Sequence, residues 1–166
     1  MDEDFEYLSV EDVLAVHEFI VESNGETEAG VASRGDVEYA LEHVRAGQFG
    51  QGPETIHEKG YQLMRLLVAN HPFVDGNKRT ALASTVVLYA LNGIQFDYDR
   101  RIKSFLKRLG TDESDVDSTD VIDYLDEHTA PLEAEYADTY RLWLSVIETD
   151  TEQSGRNGYD DTNATE

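Results

Sequence analysis

The chain has 166 residues, room for one compact domain with a single core. It carries no cysteine, which excludes a disulfide framework and any thiolate metal site. With 35 Asp and Glu against 13 Lys and Arg, the formal charge is −22, which leaves no basic face to neutralise phosphates and argues against direct nucleic-acid binding.

Only four of the cations are lysines. Such an acidic, lysine-poor surface fits adaptation to high salt, where the Debye length near 1 M is about 3 Å and separate patches hardly repel. The start, MDEDFEYLSVED, shows neither the basic n-region nor the apolar run of a signal peptide. The longest apolar stretch, LASTVVLYAL, is too short to span a bilayer. A soluble, cytoplasmic chain with no membrane association is the expectation.

In chain order, Ser9 reads as the N-cap of a first helix, with Asp12 completing a capping box. Val10, Val13, Leu14, His17, Ile20 and Val21 recur on one side of it. NGETEAGVASRG is a loop by composition, and Asp36 can cap a second helix through Val37, Ala40, Leu41 and Val44. RAGQFGQGP, with three glycines and a proline, predicts an irregular or extended flap. A third helix follows from about Glu54 to Asn70. TALASTVVLYALNG is a fourth, nearly all apolar and stopped by Asn92-Gly93, so it belongs at the centre of the core. DRRIKSFLKRLG and DSTDVIDYLDEH make two shorter helices, and Pro131 opens a last one. No strand pattern of useful length is visible. The fold class is all-α, with a domain over residues 1–148 and a disordered acidic tail over 149–166.

Between the third and fourth helices stands ANHPFVDGNKRTAL, where residue types suit chemistry more than packing. A helix N-terminus offers unpaired N–H groups and a positive dipole end. Gly76 permits close backbone approach, Asn77 adds an amide, and Lys78 and Arg79 bring two cations. In so acidic a chain, that pair fits a phosphate. Asp75 suits a magnesium ion carried by nucleotide phosphates, and His71 can take a proton near neutral pH. A helix-joining loop with ordinary salt bridges is the competing account; it suits any one residue better than all of them together.

HPFVDGNKRTAL resembles the signature of the Fic/Doc family, and its Lys78 matches the Doc (death-on-curing toxin) branch. LSVEDVLAVHEFI, GDVEYALEHV, GQFGQG and EKGYQLMRLLVANHPF extend the similarity over residues 8–128. The resemblance implies a compact helical bundle with a short flap before the motif helix. It implies His71 as general base toward a protein hydroxyl, Asp75 as holder of Mg2+, and Gly76, Asn77, Lys78 and Arg79 as the phosphate cradle for ATP. Phe73 would anchor the loop, Pro72 stiffen it, and the flap align the protein substrate. AMP-transferring relatives have glycine in place of Lys78 and a second arginine in place of Leu82. Both departures match the Doc branch, which transfers the terminal phosphate and whose target type is a translation factor. Many Fic proteins also block themselves with a helix containing Glu-Gly or Glu-Asn. Neither dipeptide occurs here, so the expected inhibitor is an antitoxin protein supplied in trans. AMP transfer, or an idle antitoxin-binding regulatory protein, are the alternatives.

Other candidates are weaker. His17 lies on an apolar face as a core residue, and His43, His57 and His128 stand alone as surface residues. TDESDVDSTD lacks the glycine and glutamate of a calcium loop and reads as helix caps. Arg100, Arg101, Lys103, Lys107 and Arg108 form a solvated helix face or, second, a docking surface for an acidic partner.

Overall fold

The computed structural model describes residues 4–47 and 51–163, with side chains through residue 149. The elements are α1 (Val10–Ser23), α2 (Arg34–Arg45), α3 (Ile56–Ala69), α4 (Asn77–Leu91), β1 (Ile94–Phe96), α5 (Arg101–Thr111), α6 (Ser118–Glu127), β2 (Thr129–Pro131) and α7 (Ala134–Asn163). The fold is mostly helical, as expected. α4 is the hub, touching α1, α3, α5, α7 and β1. Its Ala81, Ser84 and Thr85 are fully buried and short, so neighbouring helices approach closely. On α3, Leu63, Met64, Leu67 and Val68 are likewise buried, each worth roughly 1.5–3 kcal/mol of transfer free energy. Gly60 of α3 faces Tyr89 of α4, and a Cβ there would lie 3.0 Å from the phenol oxygen.

Local capping follows the sequence at α1. The Ser9 hydroxyl accepts from Asp12 N–H, and the Asp12 carboxylate accepts from Ser9 N–H. At α2 the cap is Ser33, one turn earlier than the expected Asp36, whose N–H donates to the Ser33 hydroxyl. Asp36 instead sits in the first turn, where its charge still suits the helix dipole.

Pro131 does not open the last helix. It ends β2, which pairs antiparallel with β1 in the register Ile94↔Pro131, Gln95↔Ala130 and Phe96↔Thr129. Three-residue strands are too short to show alternation, and proline is tolerated on an edge. The flap centre, residues 48–50, lies outside the described residues; beside it a Cβ on Gly47 would collide with the Gly52 backbone. The α7 backbone is helical to Asn163. Extending an existing helix fixes one residue per added hydrogen bond, and α7 is already nucleated by its buried Ala137, Leu144 and Ile147. Among the described residues no helix is long and apolar enough to cross a membrane.

Candidate active site at the start of α4

The loop from α3 to α4 turns abruptly at His71, whose φ of 48° makes it the one non-glycine residue with positive φ among the described residues. Its imidazole is exposed while Pro72 and Phe73 beside it are buried. The loop is then held residue by residue. The Pro72 carbonyl accepts from Ala32 N–H (2.8 Å) and Ser33 N–H (2.9 Å), and Val74 N–H donates to the Gly30 carbonyl (3.0 Å). Phe73 bridges to Val31 and stacks on His17, with ring centroids 3.8 Å apart and planes within 10°. His17 donates or accepts at Nδ1 with the Thr80 hydroxyl of α4 (3.0 Å). Burial draws its pKa down to about 4, against the opposing pull of Asp75, so the ring is neutral at pH 7. Segment 27–33 and α1 therefore clamp the motif loop from two sides.

Asp75 is fixed at both oxygens. Oδ2 accepts from Glu28 N–H (3.1 Å) and Oδ1 from Gly76 N–H (2.8 Å). These two bonds hold its carboxyl below the usual range, Glu28 N–H contributing most, with Arg79 and His17 adding a smaller pull. Gly76 follows at φ 77°, as the N-cap of α4, with no side chain capping the helix. The backbone N–H groups of the first turn are left for solvent or a ligand.

The Asn77 side chain is engaged by the loop backbone. Its carboxamide oxygen accepts from Phe73 N–H (3.0 Å) and its NH₂ donates to the Phe73 carbonyl (2.9 Å). The side chain closes the loop on itself, so what it can offer a phosphate is the backbone N–H. Lys78 and Arg79 are exposed, and Arg79 Nη1 donates to the Thr27 hydroxyl (2.8 Å). Both line a cavity of about 690 Å³ between α4 and α5, with Leu82, Tyr98, Ile102 and Leu106 as apolar walls.

Thr27 and the backbone of Glu28 are the residues at the candidate site that sequence reasoning missed. Thr27 is buried, touches Arg79 and packs where a Cβ on Gly76 would come within 3.1 Å. A threonine in a polar loop carries no signal of its own; only the return of residue 27 to residue 76 in space reveals it.

Two histidines expected at the surface are packed. His57 Nδ1 lies 2.9 Å from the Tyr89 hydroxyl and Nε2 3.2 Å from Asp126. His128 stacks on Tyr124 at 4.0 Å and meets Asp99 at 3.2 Å. In the acidic loop, Asp112 accepts from Ser114 N–H and Asp117 from Thr119 N–H, the capping roles expected of them. Among the described residues no three His, Asp or Glu side chains gather as a metal cage. A single ionised carboxylate, Asp75, does fit magnesium, which is commonly held by one or two carboxylates plus substrate phosphates.

The site can thus offer an exposed imidazole, a fixed carboxylate, an uncapped helix start and two cations within nine residues. The family model described as Fic/DOC family matches residues 7–89, half of the chain, from just before α1 into the last turn of α4. The chain is also 33% identical over 118 residues to Toxin Doc of Mycolicibacterium smegmatis, covering 68% of this chain and 87% of that protein. The chain belongs to the Fic/DOC family.

Proposed function

We propose that the chain is a Doc-like toxin, a protein kinase that moves the γ-phosphate of ATP to a hydroxyl of a target protein. The observation carrying this reading is the uncapped start of α4, flanked by Asp75, Lys78 and Arg79, directly after the exposed His71. His71 takes the proton of the target hydroxyl. That oxygen forms a bond to the γ-phosphorus as the bond to the β–γ bridging oxygen breaks, and ADP leaves. The first-turn N–H groups with Lys78 and Arg79 hold the phosphates in place, since phosphoryl transfer depends chiefly on positioning and charge stabilisation. Asp75 would hold the magnesium ion that accompanies ATP, which when bound neutralises phosphate charge.

Lys78 and Leu82 favour γ-transfer over AMP transfer. Lys78 lies on the cavity edge beside Arg79, and Leu82 forms apolar wall where a second arginine would clamp phosphate. The similarity to a protein named Toxin Doc supports the toxin reading, a cytoplasmic site of action, and an antitoxin partner that blocks the site in trans. A translation factor is the proposed target class. Incubation of cell extract with the protein and γ-labelled ATP is expected to give a labelled protein band, and α-labelled ATP none. A band from α-label would move the protein to AMP transfer; no band from either would return it to a regulatory binding protein.

A further inference from the structure

In a chain of 13 cations and 35 carboxylates, an unpaired cation is unusual and a group of them calls for an anion. Arg34, Arg65 and Arg141 sit in ion pairs, and Lys59 is buried with Nζ donating to the Val44 carbonyl. Five others line one cavity: Lys78, Arg79, Arg100, Lys103 and Lys107. Three of the four lysines are thus in the same place, and the fourth is buried. Among the described residues, none of the five is in an ion pair.

The cations of the α5 segment divide by face. Positions 100, 103 and 107 recur at helical spacing and look toward α4. Arg101 and Arg108 look the other way, over the rings of Tyr124 and Phe105, into a separate cavity with Asp120, Asp123 and Glu127. The first face has Asp99 beside it, but that carboxylate already accepts from the Tyr124 hydroxyl and Arg101 N–H and meets His128. Lys78 reaches across: a Cβ on Gly110 of α5 would lie 3.3 Å from Lys78 Cε. The cavity, about 690 Å³, combines this cationic rim with Tyr98, Leu82, Ile102 and Leu106, which suits a ligand that is polyanionic at one end and flat and apolar at the other.

We infer that the α4–α5 cavity is a polyphosphate pocket, in which Arg100, Lys103 and Lys107 join Lys78 and Arg79 in binding a nucleoside triphosphate. This rests on the proposed use of ATP and adds α5 residues that lie outside the loop motif. Discrimination follows from charge: the triphosphate engages more of the cations than a diphosphate, and a monophosphate fewest.

Calorimetric titration of the full chain at fixed ionic strength tests it, with ATP, ADP, AMP and inorganic tripolyphosphate as probes. The expected order is ATP tightest and AMP weakest, with tripolyphosphate competing against ATP. Lys103→Ala/Lys107→Ala should weaken ATP at least about ten-fold and AMP much less. Arg101→Ala/Arg108→Ala makes the same charge change on the other face and should stay within about two-fold. Circular dichroism checks that both are folded, and Lys103→Gln/Lys107→Gln replaces the first if it is not. Unchanged ATP binding in the lysine variant, equal weakening in both variants, or no ATP binding by the unaltered chain would each overturn the pocket. The transfer assay separates the two ideas. ATP binding that needs Lys103 and Lys107, without any γ-label transfer, would remove the kinase reading and keep the pocket. Transfer with binding indifferent to them would do the reverse.

Discussion

His17 illustrates how one buried residue can tie the candidate site to the core. It is 2% exposed, stacks on Phe73 and bonds Thr80, joining α1, the motif loop and α4. Its Nε2 is buried without a partner, so the folded protein resists protonating it. With the pKa lowered from 6.5 to about 4, the unfolded chain binds the proton first, and stability falls as pH drops from about 6.5 to about 4. Melting curves across that range should show a steeper loss for the unaltered protein than for His17→Gln, which keeps a polar partner for Thr80 but cannot titrate. Parallel curves would deny His17 this role. His71 is the opposite case, exposed and with its backbone at φ 48°. Its replacement by alanine should leave circular dichroism and melting nearly unchanged while γ-label transfer drops by about 10²–10⁴-fold. Full transfer by a folded His71→Ala protein would exclude it as the base.

At the scale of elements, the junction between loop and α4 depends on Gly76. Its φ of 77° is in the left-handed region, and a Cβ would meet Thr27 Cγ2 at 3.1 Å. Gly76→Ala should therefore destabilise by about 1–3 kcal/mol in denaturant titration, from backbone strain and crowding together. Gly25→Ala, with nothing within 4 Å, is the control and should remain within about 0.5 kcal/mol. Thr27→Val keeps the packing against Gly76 and removes the hydrogen bond to Arg79. It should weaken ATP binding by several-fold, on the order of one lost hydrogen bond, with little change in melting. Unaltered ATP affinity would mean that Arg79 needs no such anchor.

Across the whole molecule, we propose that the charge of −22 makes the fold depend on salt. Dialysis from molar salt to dilute buffer should unfold the helices as repulsion loses its screening, whereas an unchanged far-ultraviolet spectrum would refute a halophilic surface. The last buried side chain among those described is Ile147. We propose that the folded unit ends near residue 148, so a chain truncated there should retain its melting temperature within a few degrees, as expected for a change of under about 1 kcal/mol. A drop beyond that would assign the end of α7 to the core.

Much of this protein is written locally. The capping box of α1 and the apolar run of α4 depend on neighbours within one or two helical turns, so periodicity and spacing alone place them, and the candidate stretch His71 to Arg79 is likewise contiguous in sequence. Family membership rests on a longer run, residues 7–89, that contains this stretch. What the tertiary structure decided lies in pairings across long chain separations. Glu28 N–H reaches Asp75 over 47 residues and Arg79 reaches Thr27 over 52, and neither partner stands out in sequence. The choice of Ser33 over Asp36 as cap follows from where the Pro72 carbonyl holds residues 32 and 33. The two faces of α5 read alike in sequence as one basic run. Only packing between α4 and α6 turned one toward carboxylates and left the other lining a cavity, because side-chain direction on a helix becomes meaningful once its neighbours are in place.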